Sequence, residues 1–175
     1  NLQLVVLASD GTVLHVLPGF WHPEDLVAEL RFALDVHRLW QDPVPTQEQK
    51  ERMFAALHRQ RVRNFSADTI ARSAWQDFDE RAELERYRTR PRDTVSLDAD
   101  GTPKVKPLCV LLHERMAARP FRQFATFDME SFVDYGRPFY DNNAWVDKGR
   151  EFKAAELANK KRERERAKAE RAAGS

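Results

Sequence analysis

Residues 4–30 read LVVLASDGTVLHVLPGFWHPEDLVAEL. The run LQLVVLA, residues 2–8, is short, apolar and rich in β-branched side chains. Such a run reads as a strand covered on both faces. Ser9-Asp10-Gly11 follows as a hairpin turn, because glycine takes positive φ without steric cost. TVLHVLP, residues 12–18, returns as the partner strand, with His15 expected on its solvent side. A helix then opens after Gly19 or His22, where Pro23 suits the first helical position and Glu24 and Asp25 favour the positive helix end. Leu26, Leu30 and Leu34, broadened by Phe32 and Val36, are expected to form its buried stripe.

QDPVPTQEQ, residues 41–49, interrupts this pattern with two prolines and is the best candidate boundary. The chain beyond reads mostly helical. Thr46 and Gln49 have capping-box spacing, followed by an apolar face of Met53, Phe54 and Leu57. A second helix is expected from Ser66 or Asp68, with Ala71, Trp75, Phe78 and Ala82 along one stripe. Residues 88–107 read as a loop with a small hairpin around Asp100-Gly101. Leu108–Ala118 reads as a third helix stopped by Pro120. Asp128 is placed to cap a short helix ended by Gly136, with Phe127 and Phe132 at staple positions. The fold class expected is α/β, more narrowly α+β. Its parts are a hairpin-and-helix segment 1–40, a helical extension 41–147 and a charged helical tail 148–175.

Composition excludes several chemistries. The 175 residues include eleven Phe and four Trp, enough for a real core, and carry a formal net charge of +1. From Asn159 to Arg171 seven Lys/Arg stand against three Glu. That tail lacks stacking aromatics and an apolar face, so neither nucleic acid nor membrane insertion is expected. A single cysteine, Cys109, forms no internal disulfide, no CxxC pair and no cysteine-based zinc site, and reads as a buried apolar residue. His113-Glu114 shares a His-Glu pair with metallopeptidase helices, but Ala117 stands where the second His belongs. Asp128, Glu130, Asp134 and Asp141 lack the glycine-centred loop of a calcium site. No metal or cofactor is therefore expected, and no catalytic residue is assigned. The glycines form neither a Walker loop nor a GxGxxG, and there is no GxSxG.

The opening residues resemble the end of a thioredoxin-like domain: LVVLA, Asp10-Gly11, VLHVLP, Gly19, then Leu26 and Leu30, over about residues 1–37. The resemblance implies a terminal hairpin and C-terminal helix, and thiol–disulfide exchange or a redox-derived binding role for the whole protein. It also implies that Gly19 admits a substrate backbone to a groove flanked by Phe20 and Trp21. The CxxC of that family would precede Asn1, and Asn1, Leu2 and Gln3 stand where its cis-proline belongs, so this chain alone is not expected to catalyse exchange. The first residue is Asn rather than Met, pointing to a processed or partial chain whose compartment is not legible. The expected partner is another protein or the remaining half of the same one, with self-association left open. The alternative is a helical interaction or assembly module with a charged arm. Tyr135, Tyr140 and Trp145, within DYGRPFYDNNAWVDKG, are the candidate docking residues.

Overall fold

The structure is a computed structural model that describes residues 3–19 and 21–133. The expected aromatic docking segment, the Gly136 helix stop and the charged tail lie outside the described residues, as does Phe20.

Strand β1, Gln3–Leu7, pairs antiparallel with β2, Val13–Pro18. Gly11 turns the chain at φ +83°, and the turn is closed by hydrogen bonds from Gly11 N to Ala8 O and from Thr12 N to Asp10 Oδ1, each 3.0 Å. Val6 faces His15 but Leu7 faces Val13, so β2 carries one extra residue, a bulge at Leu14 beside His15. Bulges of this kind bend a strand and re-aim its side chains.

Helix α1, Pro23–Gln41, starts as its sequence dictates, with His22 as cap and Pro23 first. Its buried face is Asp25, Glu29, Phe32, Ala33, Val36 and Leu39. Leu30 and Leu34 are exposed, which corrects the expected leucine stripe. The true stripe keeps helical spacing but includes two carboxylates, because each finds a cationic partner on another helix. Helix α2, Gln47–Arg63, begins at a complete Thr46/Gln49 capping box. Phe54 and His58 are its buried residues, and Met53 is exposed.

The single helix expected from Ser66 onward is two: α3, Ala67–Arg72, and α4, Asp77–Thr89. The break falls at Ser73, whose backbone carbonyl accepts from Leu108 N at 2.9 Å, and Phe78 is left exposed. The small hairpin is present as β3, Val95–Leu97, against β4, Pro103–Val105. Helix α5, Leu108–Ala117, and the short α6, Met129–Phe132, follow. Asp128 caps α6 by accepting from Ser131 N, with the Phe127 ring tilted against Phe132 at 5.5 Å between centroids. Among the described residues the architecture is thus mixed α+β: two small antiparallel hairpins and six α-helices.

One core joins these elements. Strand β2 is buried along its whole length and packs on α1 and α5, while α2 packs on both helices. The same apolar cluster contains Val16 and Leu17 from β2, Val36 from α1, Phe54 from α2 and Leu112 from α5. The proline-rich connector is therefore a short link between two helices that share a core. Strand β1 differs from the sequence expectation: its residues are exposed or half-buried rather than covered on both faces. Its second edge pairs with no described strand, whereas the start of β2 is closed off by Val13 N donating to Arg122 O at 2.8 Å.

Candidate functional site

Each of the four core elements contributes one polar side chain to the same place. His15 comes from β2, Glu29 from α1, His58 from α2 and His113 from α5, and none is more than 1% exposed. Glu29 is the hub. Its Oε2 accepts from His15 Nε2 and from His113 Nε2, both at 3.0 Å. Its Oε1 accepts from Arg61 Nε at 3.0 Å and Nη2 at 2.8 Å. His58 Nδ1 lies 2.8 Å from His113 Nδ1.

These contacts determine the protons. An ionised carboxylate only accepts, so both Nε2 atoms that touch it carry hydrogen. His113 Nδ1 is then an acceptor, and His58 Nδ1 donates to it. His58 Nε2 is left without hydrogen, and it and His15 Nδ1 are both buried without a hydrogen-bond partner among the described residues. Aromatic rings enclose the group. Phe32 meets His15, His58 and His113 edge-on at 5.4, 4.8 and 5.0 Å between centroids, and Phe54 lies 4.4 Å from His58.

Burial works against charge on Glu29, but hydrogen bonds from His113 and His15 outweigh it and hold the carboxyl well below the usual range. Burial and the neighbouring imidazoles push His58 well below its ordinary value. Burial is also the main cause that lowers His113 to about 4, against the opposing pull of Glu29. At neutral pH His58 and His113 are accordingly neutral imidazoles beside an ionised Glu29. Neutral imidazole and carboxylate are the protonation states that ligate metals.

Arg61 and Phe32 also line a solvent-open groove of about 380 Å³ between α1 and α2. They form the layer between that groove and the buried cluster.

The residues named from sequence lie elsewhere. Gly19 is buried at φ +79°, a left-handed conformation that favours glycine, at the link from β2 to α1. Trp21 is a core residue whose Nε1 donates to Pro18 O at 3.0 Å. Phe20, Tyr135, Tyr140 and Trp145 lie outside the described residues. His15, expected on the solvent side, is fully buried. The bulge at Leu14 and the cover of α1 and α5 leave β2 no solvent face. Glu29, His58 and Arg61 carry no linear motif. A signal was present in their register: Glu29 lies three and seven residues before Phe32 and Val36, and His58 lies four after Phe54. The chain matches no protein-family model, and no curated protein or solved structure matches it.

Proposed function

We propose that β1, β2 and α1 are the closing hairpin and helix of a thioredoxin-like sheet, in a protein with a redox-derived binding role. The observation that carries this reading is the second edge of β1, which pairs with no strand among the described residues. Leu4 and Leu7 are exposed there, and Val5 and Val6 are only partly covered. An apolar edge strand with free backbone groups is a template for another strand. A thioredoxin-like sheet would continue on this first strand of the hairpin and leave the second at the border, where residues 122–124 now sit. The positive φ of Gly19 before the helix supports the same alignment.

The role is binding rather than thiol exchange within these residues. Exchange needs an accessible thiolate. Cys109 is fully buried, and burial pushes its thiol up to about 11. The chain should therefore not reduce insulin disulfides.

The structure of the intact gene product tests the reading. A strand from the same polypeptide hydrogen-bonded to the outer edge of β1, in a sheet of thioredoxin topology, is the expected result. An outer edge left in solvent, covered by a helix or paired with a different protein would overturn it. The last outcome would establish the helical interaction module instead.

A further inference from the structure

We propose that His15, Glu29 and His113 form a binding site for one first-row divalent transition metal ion, with zinc the closest chemical fit. The proposal is independent of the sheet reading above, because it rests on the core rather than on the edge of β1.

The donor set is the first argument. His15 Nε2, His113 Nε2 and Glu29 Oε2 come from three different elements, and suitable donor atoms of these residues all lie within 4.8 Å of one another. A tetrahedral zinc ion with bonds of roughly 2.0–2.1 Å holds its ligands about 3.3 Å apart. The two imidazole nitrogens are already 3.0 Å from the carboxylate oxygen. Side-chain adjustment within the 4.8 Å that bounds the donor separations would bring all three to bonding distance of one ion. Two imidazoles and a carboxylate suit zinc or ferrous iron rather than calcium or magnesium, which prefer all-oxygen shells.

The second argument is the surroundings. Ligating imidazoles and carboxylates need partners on their remaining atoms. His113 has one in His58, and Glu29 has one in Arg61, which engages Oε1 and leaves Oε2 to the metal. The third argument is the pair of unpartnered buried nitrogens. Polar groups kept only for structure are normally closed into a complete network. Here His15 Nδ1 and His58 Nε2 are left over.

Coordination balances without net loss of protons from the imidazoles. Metal takes the Nε2 lone pairs of His15 and His113, and each ring is protonated at Nδ1 instead. His113 Nδ1–H then donates to His58 Nδ1, whose own proton moves to Nε2. Three nitrogens gain hydrogen: His113 Nδ1, which becomes the donor to His58, and His15 Nδ1 and His58 Nε2, the two without a partner among the described residues. Entry from the groove requires Arg61 and Phe32, the layer between it and the cluster, to move aside, and a water or hydroxide entering with the ion would fill the fourth position.

The test uses the full 175-residue chain stripped with chelator and titrated with Co(II) and with Zn(II). One equivalent of Co(II) should give visible d–d bands, which Zn(II) then displaces. Nitrogen-15 spectra of the wild-type chain with Zn(II) should show His15 and His113 metallated at Nε2 and protonated at Nδ1. His58→Gln should weaken binding by roughly 10- to 100-fold, as expected of an outer partner. His15→Gln and His113→Gln should weaken it further, and His22→Gln with His37→Gln should leave it unchanged. Zn(II) should raise the Tm of Arg61→Gln by more than that of the wild type, since the metal replaces the missing countercharge. Absence of binding, or binding that leaves the His15 and His113 ring nitrogens unchanged and disappears with His22 and His37, would overturn the proposal. The wild-type spectra decide the matter even where a core variant does not fold.

Discussion

Arg61 donates two hydrogen bonds to one carboxylate oxygen of Glu29, which is 1% exposed, and so ties α2 to α1 through the centre of the core. Removing one partner of a buried pair leaves an uncompensated charge, which typically costs about 3–5 kcal/mol. Arg61→Met should therefore lower metal-free stability by roughly that amount in urea unfolding. Arg61→Lys should recover only part of it, because a lysine ammonium lacks the planar fork. A change within error of wild type for Arg61→Met would show that the pair is not coupled to folding.

A second carboxylate of the same helix face makes a parallel link. Asp25 is buried and accepts from Arg72 Nε and Nη2, both at 2.7 Å, and from Thr69 Oγ1 at 3.0 Å. Asp25→Ala should cost about 3 kcal/mol, near the lower end for a broken buried pair. Its specific signature is early loss of amide protection in α3, measured by hydrogen exchange. That short helix has no buried residue of its own.

Cys109 makes a pH prediction. Burial raises its thiol from 9.0 to about 11 in the folded chain. Below pH 9 both states hold the proton and nothing is lost. Between about 9 and 11 the unfolded chain ionises while the folded one does not, so stability falls, by roughly 2–3 kcal/mol at 1.36 kcal/mol per unit. The fall should be missing from Cys109→Ala when the two are compared by denaturant titration. At pH 8 the native thiol should also react with a disulfide reagent only as fast as the chain opens.

Asp93 has the opposite sign. Hydrogen bonds from Arg115 hold its carboxyl below the ordinary value near 3.8. Its stabilising contribution is present above that value and lost as pH falls through the lowered one. The carboxylate is more than half exposed, so the effect should be modest, about 1 kcal/mol or less. Acid titration of Asp93→Asn against wild type measures it.

Gly11 tests the turn. At φ +83° an alanine side chain is strained, and its Cβ would also lie 3.4 Å from Gln123 Oε1. Gly11→Ala should destabilise by about 1–2 kcal/mol, the cost of a left-handed non-glycine residue. Thermal unfolding is the measurement.

Local chemistry was readable from the chain alone wherever it acts between near neighbours. The Asp10-Gly11 turn, Pro23 at a helix start, the Thr46/Gln49 capping box and the Asp128 cap depend on groups within four residues of each other. Their geometry follows from those residue types. Cys109 could be placed inside because an apolar segment surrounds it. The split at Ser73 was hidden, because the periodic stripe runs through it and only a hydrogen bond to distant Leu108 reveals the break.

The cluster belongs to the tertiary structure. His15, Glu29, His58 and His113 are up to 98 residues apart in the numbering and share no motif. A carboxylate on an apolar helix face normally reads as solvent-facing, since burying it alone is prohibitive. What reverses that reading is Arg61 and two imidazoles arriving from other elements, and only packing brings them. Short-range sterics and hydrogen bonds thus determined which elements form, whereas the pairing of buried charges over long separations decided which faces turn inward.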